Sequence, residues 1–313
     1  MTPIAGIGSE SRPAGPGDRR EPAGRTSGSQ PGQAGRAGNG TERTREPEGV
    51  GRDAGDRLAE LAAWLRRLHV RGDPLVLPNA WDVASARMVE GLGFPIVATS
   101  SAAVAATLGV SDDDSMGAEL ALAAVARIAT AVKVPVSADV ERGYGLAPAE
   151  LIRLLLGAGA VGCNLEDSDH HGRAALVDID QQVAYLTGLR SAATAAGVPV
   201  VVNARVDVWL HRRGNAPAGL AEGLLRAAAY LGAGADCVYP IMLSDPRTLR
   251  AFVERVGGPV NVLLGPGTLG LRALSQLGVA RVSLGAELHR VALGAARSAA
   301  QALIAPAGRG TAP

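Results

Sequence analysis

The sequence has few aromatic residues, few cysteines and almost no charge imbalance, and each shortage narrows the protein class. Phe, Trp and Tyr make up only 3% of the 313 residues, so Ala, Val and Leu must fill any core. The formal net charge is +1, which gives no electrostatic reason to expect binding to nucleic acid or to acidic membranes. No apolar run approaches the roughly 20 residues that span a bilayer.

The two cysteines, Cys163 and Cys237, each lie inside an apolar run. They do not make a disulfide framework, and they are consistent with a reducing compartment. The Arg19–Arg20 pair is not followed by the apolar segment of a secretory signal. We therefore expect a cytoplasmic protein.

The beginning of the chain differs in composition from the rest. Residues 1–55 are mainly Gly, Pro, Ser, Arg and Glu, so they bury too little apolar surface to offset the entropy of ordering. We predict a disordered tail over 1–55, one catalytic domain over 56–305 and a flexible terminus over 306–313. A functional tail and a misassigned start codon both remain open as explanations of the first segment.

Within the predicted domain, short β-branched runs alternate with segments rich in Ala and Leu. Glycines often end these segments, as at helix C-termini that turn back into a strand. Because the runs are almost continuously apolar, they are typical of parallel strands covered by helices. The eight runs cover 75–78, 95–99, 134–138, 160–165, 198–203, 235–239, 259–264 and 280–284.

Eight strand–helix units over about 250 residues predict an α/β fold, a (β/α)8 TIM barrel. An open doubly wound sheet is the alternative, and the lack of a Gly-x-Gly-x-x-Gly motif after the first run weakens it.

Acidic residues follow successive predicted strands at the end where TIM barrels hold their active sites. Asp139 and Glu141 follow the third run, and Glu166 ends the fourth. Carboxylates brought together repel one another unless a cation neutralises them, and Mg²⁺ prefers such oxygen ligands. The sequence therefore predicts a Mg²⁺ site, with Mn²⁺ as the alternative ion. For any single acid, a helix N-cap is the competing interpretation.

Other polar residues at the same strand ends are candidates for contact with a substrate. Arg205 could hold a carboxylate through two hydrogen bonds, and Ser100 could hold another oxygen. The full set of predicted substrate contacts is Trp81, Ser100, Ser101, Ala102, Asn203 and Arg205. Arg205, His171 and Tyr144 are the predicted catalytic residues, and Cys163 and Cys237 are interpreted as core residues.

Several stretches together resemble the isocitrate lyase/phosphoenolpyruvate mutase superfamily, from about Leu65 to about Leu303. They are LVLPNAWDVASARMVEGLGF, ATSSAAVAATLGVSD, SADVERGYG, NLEDSD and VNARVDVW. The resemblance implies a TIM barrel that holds Mg²⁺ through Asp139, Glu141 and Glu166, with Asp112 in the metal network. It also implies substrate contacts at Ser100, Ser101 and Arg205, a homotetramer that commonly exchanges its last helix, and reactions through an enolate held on Mg²⁺.

The sequence also departs from the family pattern. Glu141 replaces an Asp of the signature, and EDSDHHGRAALVD lacks the Lys-Lys/Arg-Cys-Gly-His loop of the classical lyases. The Glu usually found after strand 6 and the Asn after strand 7 are missing, where Pro240–Ile241 and Leu263–Leu264 stand. Isocitrate or methylisocitrate lyase activity is therefore not expected. His170 or His171 is a hypothetical replacement for the missing Cys as proton donor.

Three functions follow from these observations. The first is a Mg²⁺-dependent lyase that cleaves a C–C bond in a small 2-oxo or 2-hydroxy (di)carboxylic acid. The second is a phosphoenolpyruvate or phosphonate mutase. The third is a barrel that binds a small acid without converting it. The partner in each case is a small carboxylic acid, with no nucleic acid or membrane.

Overall fold

A computed structural model describes residues 54–112, 116–169, 175–212 and 216–304. The strands are β1 (Leu75–Leu77), β2 (Asn79–Ala80), β3 (Val97–Thr99), β4 (Val136–Asp139), β5 (Gly162–Leu165), β6 (Val201–Arg205), β7 (Cys237–Tyr239), β8 (Asn261–Leu263) and β9 (Arg281–Ser283). The helices are α1 (Ala54–Arg67), α2 (Val83–Gly91), α3 (Ser101–Leu108), α4 (Ala118–Ala131), α5 (Pro148–Gly157), α6 (Ile179–Ala195), α7 (Val208–His211), α8 (Leu220–Gly232), α9 (Pro246–Arg255), α10 (Leu271–Leu277) and α11 (Glu287–Ile304), with a 3₁₀ turn at Pro217–Gly219.

The strands form a closed parallel barrel. Strands β2 to β7 pair in sequence order, and β9 pairs with both β8 and β1. A parallel bridge between Val238 and Val260 joins β7 to the segment before β8. β1 and β2 are one strand interrupted at Pro78, which has no N–H to donate to the ladder. The (β/α)8 prediction is therefore confirmed, and all eight predicted runs contain a strand.

Helix α1 covers the end of the barrel where the strands begin. Leu65 of α1 is fully buried, and its Cδ2 would lie 2.7 Å from a Cβ atom at position 162. Only glycine at the start of β5 permits this approach. Helix α10 ends as the sequence predicts, because Gly278 follows it with a left-handed φ of 86°. None of the described helices is long and apolar enough to cross a bilayer.

The barrel interior holds a buried arginine. Arg281 of β9 is 1% exposed and donates to Asn164 Oδ1 at 3.1 Å. Its Nη1 lies 3.5 Å from Nε2 of His69, whose other ring nitrogen bonds to Leu65 O. Burial and the nearby Arg281 charge lower the pKa of His69 to about 4. No carboxylate of the described residues is within ion-pairing distance of Arg281, so its charge is buried without an anionic partner.

We expect Arg281→Met to leave the free energy of unfolding unchanged or to raise it by up to about 3 kcal/mol, because it removes an unpaired buried charge. Asn164 Oδ1 keeps its bond from Asn203 Nδ2 at 2.8 Å. Arg226→Met is the matched comparison, because Arg226 is 6% exposed and pairs with buried Asp167 at 3.1 Å. It should cost about 3–5 kcal/mol. Urea denaturation at pH 7 checks both, and equal losses would contradict this account.

Candidate active site

A cavity of about 950 Å³ opens at the end of the barrel where the strands finish. The carboxyl ends of all parallel strands meet there, so the fold brings together residues far apart in sequence. The cavity is lined by most of the residues that the sequence predicts for the site. They are Ser100, Ser101, Ala102, Asp112, Asp139, Glu141, Glu166 and Arg205.

Asp139 ends β4 and is held by neutral donors. Its Oδ2 accepts from the backbone N–H and the hydroxyl of Ser101, each at 3.1 Å, and its Oδ1 lies 3.4 Å from Asn164 Nδ2. Ser101 is the first residue of α3, so the positive end of that helix faces the carboxylate. Asp139 N also donates to Thr99 Oγ1 at 2.9 Å. The carboxylate is therefore oriented without an arginine or lysine partner among the described residues.

Two hydrogen-bond donors fix the orientation of the Asn164 side chain. Its Oδ1 accepts from Asn203 Nδ2 at 2.8 Å and from Arg281 at 3.1 Å. Because the carbonyl end is thereby occupied, the Nδ2 end faces Asp139. Asn203 is fully buried in this network and is not part of the cavity lining, so the structure places it behind Asn164.

The loop after β4 brings Glu141 into the cavity in a strained conformation. Glu141 and Tyr144 have left-handed φ angles of 48° and 56°, which are uncommon outside glycine. The Glu166 N–H donates to Glu141 O at 2.8 Å and ties this loop to the end of β5. As a result the Glu141 side chain lines the cavity while the residue is only 1% exposed. Backbone strain of this kind is frequent at functional sites.

Arg205 links two acidic side chains. Its Nη1 donates to Glu166 Oε1, and its Nε donates to Asp207 Oδ1 at 2.8 Å. Burial opposes the positive charge, but Asp207 and then Glu166 raise the pKa of Arg205 above its ordinary value. Glu166 is therefore partly neutralised by Arg205, a pairing that the sequence does not reveal.

A second buried network supports Asp207 from behind. Asp167 is fully buried and accepts from the Asp207 N–H at 2.8 Å and from the Tyr230 hydroxyl at 2.6 Å. Ser168 Oγ donates to Asp207 Oδ2 at 2.6 Å. Burial and the neighbouring Asp207 raise the pKa of Asp167 to about 6. Asp167 does not line the cavity and supports Asp207 instead.

The carboxylate oxygens of the cavity are the type of ligand that a hard dication prefers, although they are not yet close enough together to form a complete site. Within the described ranges, no three Asp, Glu, His or Cys side chains are close enough together to hold a metal ion. Mg²⁺ needs only one or two carboxylates, because waters and substrate oxygens complete its octahedral shell. Asp139, with Glu141 and Glu166 on the same cavity wall, meets that lower requirement.

The remaining predicted residues lie outside the cavity lining or outside the described ranges. The Trp81 ring packs edge-on to the His289 ring, with centroids 5.0 Å apart. The Tyr144 side chain packs against the core. His170 and His171 fall outside the described residues. His289, which no sequence pattern marks as a site residue, also lines the cavity from α11.

Comparison with known proteins agrees with this architecture. The sequence model of the family described as phosphoenolpyruvate phosphomutase matches residues 65–304. An uncharacterized protein of Mycobacterium tuberculosis is 36% identical over 239 residues, covering 75% of this chain and 87% of that protein. The 2-methylisocitrate lyase of Bacillus subtilis is 30% identical, covering 64% of this chain and 66% of that enzyme.

A solved structure of a candidate phosphonomutase from Burkholderia cenocepacia superposes with a TM-score of 0.74 at 38% identity. The match covers 77% of this chain and 99% of that one. The chain therefore belongs to the phosphoenolpyruvate phosphomutase family, within the isocitrate lyase/phosphoenolpyruvate mutase superfamily of lyases and mutases that act on small carboxylic acids.

Proposed function

We propose that this protein is a Mg²⁺-dependent lyase that cleaves a C–C bond in a small 2-oxo or 2-hydroxy (di)carboxylic acid. The observation that carries the proposal is the convergence of Asp139, Glu141, Glu166 and Arg205 on one cavity at the carboxyl ends of the strands. Asp139, Glu141 and Glu166 would hold the ion, with Asp112 near it. When bound, Mg²⁺ supplies positive charge against the substrate oxygens and stabilises the negative charge that develops during cleavage.

The chain's own residues would bind and orient the acid. Ser100 is the N-cap of helix α3, and Ser101 and Ala102 begin the helix at the cavity wall. Because Asp139 accepts the Ser101 N–H, the other polar groups of this helix start would bind an anionic oxygen of the substrate. Arg205 uses Nε and Nη1 on Asp207 and Glu166, so its Nη2 is the nitrogen assigned to a substrate carboxylate. The two acids behind Arg205 fix its guanidinium before the substrate arrives.

The bond change in a 2-hydroxy acid balances without an oxidant. The C2 hydroxyl gives up its proton to a base and becomes a keto group as the C2–C3 bond breaks. The electron pair of that bond passes to C3, where a carboxyl group attached to C3 delocalises it, so a substrate cleaved in this way is a dicarboxylic acid. C3 then takes up a proton. His171 is the proposed proton donor, in place of the Cys that the classical lyases carry. Apolar residues that line the same cavity, such as Leu263 and Ile241, keep water from the reacting carbon.

Self-association as a homotetramer is part of this proposal. Helix α11 has 18 residues and none of them is buried. It exposes apolar side chains at Val291, Leu293, Leu303 and Ile304. Exposed apolar side chains along a helix of this length are costly in water and suit packing against another copy of the chain.

A phosphonate mutase is the second candidate, favoured by the 38% identity to the candidate phosphonomutase. The test is product analysis of the full chain with Mg²⁺ on a panel of 2-oxo and 2-hydroxy dicarboxylates and phosphonopyruvate. We expect release of pyruvate or another 2-oxo acid, stopped by EDTA and restored by Mg²⁺. Interconversion of P–C and P–O species, followed by ³¹P NMR, would instead establish the mutase. Oxalate binding without turnover of any compound would favour a binding protein.

A further inference from the structure

The cavity has two chemically different halves. Charged and polar lining residues come from strands β2 to β6 and the turns after them, and from helix α11, which contributes Glu287, His289, Arg290 and Arg297. The ends of β7, β8 and β9 contribute mainly aliphatic side chains to the same lining. We define the apolar sector as Ile241, Leu263, Leu264 and Leu284. Because the barrel closes in strand order, this sector lies together on one side of the mouth.

Several polar groups near the apolar sector are already engaged with one another. Asn261 Nδ2 donates to Ser283 Oγ at 2.9 Å, and Ser283 Oγ lies 3.1 Å from Asn261 Oδ1. Thr268 Oγ1 donates to Gly265 O at 2.7 Å. A carboxylate or phosphonate placed against these aliphatic side chains would lose hydrogen bonds to water with little in return. The sector therefore disfavours an anionic group placed against it.

Cations near the cavity belong to its outer rim. Arg290 and Arg297 reach the lining from α11, one before and one after Leu293 in the sequence. Arg290 is 70% exposed at its side chain and pairs with Glu287. A long dicarboxylate that passes the apolar sector to reach Arg297 is the competing arrangement.

The size of the cavity also exceeds what a three-carbon acid needs. Its volume of about 950 Å³ is at the upper end of the roughly 300–1,000 Å³ found for pockets that bury drug-sized ligands. A pyruvate-sized molecule held at Asp139 and Arg205 leaves most of this space free. Aliphatic walls recover free energy only if apolar surface covers them.

We propose that the substrate carries, besides the acid groups that the cleavage requires, a hydrocarbon chain of several carbons that lies against the apolar sector. The inference rests on the proposed function, because it assumes that the acid group binds at Asp139 and Arg205. The missing polar residues at Ile241 and Leu263 then reflect a change of substrate rather than a loss of activity.

Calorimetric titration of the full chain with Mg²⁺ tests this, using oxalate first and then the 2-oxo acids from pyruvate to 2-oxohexanoate. We expect affinity to rise about fourfold per added methylene, the gain for burying one CH₂ group. 2-Oxoglutarate, of similar length but with a terminal carboxylate, should bind at least about tenfold more weakly than 2-oxohexanoate. Equal affinity along the series, or tighter binding of 2-oxoglutarate, would overturn the inference.

The oxalate titration distinguishes a failure of the apolar-chain inference from a failure of the proposed function. If oxalate binds with Mg²⁺ but chain length has no effect, the proposed function stands and the apolar-chain inference fails. If oxalate does not bind, both fail.

Two variants of the apolar sector and one control variant test whether the affinity gain per methylene arises at this sector. Leu263→Asn and Ile241→Asn should each reduce the gain per methylene to less than about twofold, because a polar amide replaces the aliphatic contact. Leu225→Asn changes a leucine that is 61% exposed on α8, outside the cavity lining, and should keep the full gain. An unchanged gain in either folded sector variant would show that the chain binds elsewhere.

Discussion

Asp139→Ala is expected to lower the cleavage rate about a thousandfold or more while leaving unfolding cooperative. The carboxylate of Asp139 contacts neutral groups, those of Ser101 and Asn164. Its negative charge is therefore available to a dication, and losing a principal group that stabilises transition-state charge costs this much in other enzymes. Initial rates at saturating Mg²⁺, with urea denaturation of the same sample, check the prediction.

Asp82→Ala is the matched control for the loss of an aspartate near the same end of the barrel. Asp82 is the N-cap of α2, and its side chain accepts from Ser85 N at 2.7 Å. The substitution should cost about 1 kcal/mol of stability, as N-cap losses do, and keep the cleavage rate. If Asp139→Ala behaved like Asp82→Ala, losing stability but keeping activity, Asp139 would be a structural residue and the metal mechanism would be wrong.

Arg205→Lys should raise KM for the acid substrate by about 10- to 100-fold, with a smaller effect on kcat. Lysine keeps the charge but not the planar fork that serves Glu166, Asp207 and a substrate carboxylate together. The magnitude is that of one lost hydrogen bond between charged groups. Initial rates over a range of substrate concentrations at fixed Mg²⁺ give the two constants separately.

Arg190→Lys provides the comparison at the opposite end of the barrel. Arg190 makes an equally branched set of bonds, to Asp236 Oδ2 at 2.7 Å and to the carbonyl oxygens of Gly234 and Val200. We expect a loss of stability with KM unchanged, because none of these groups lines the active-site cavity. An unchanged KM in Arg205→Lys would remove Arg205 from substrate binding.

The barrel could be predicted from the sequence because its signal is local. Apolar runs of four to six residues, glycines at the helix ends and an even spacing are each visible within short windows. The division of the first strand at Pro78 was not predicted, although a proline within a strand is a known break in the ladder.

The acidic set could also be found locally, because each acid follows a strand and all parallel strands end on one face. The pairings among these residues could not. Arg205 bonds to Glu166, 39 positions away, and Arg281 reaches Asn164 across 117 positions. Such contacts depend on the distances between neighbouring strands, which periodicity does not encode. The left-handed Glu141 is likewise tied to a distant segment, because its carbonyl oxygen accepts the N–H of Glu166 just after β5.

The part played by α11 was missed for a related reason. His289 and Leu293 lie on an amphipathic helix whose sequence resembles many others, and only the folded chain places them at the cavity. The apolar sector was visible in the sequence as absent polar residues at Ile241 and Leu263, but its position opposite the acids required the closed barrel.

A crystal structure of the protein with Mg²⁺ and oxalate would show whether Asp139 helps to hold a metal ion. We expect one ion about 2.0–2.1 Å from an Asp139 oxygen and from two oxalate oxygens, with Arg205 on the oxalate. Oxalate bound away from the cavity, with Asp139 contacting only Ser101 and Asn164 and no ion beside it, would contradict the account.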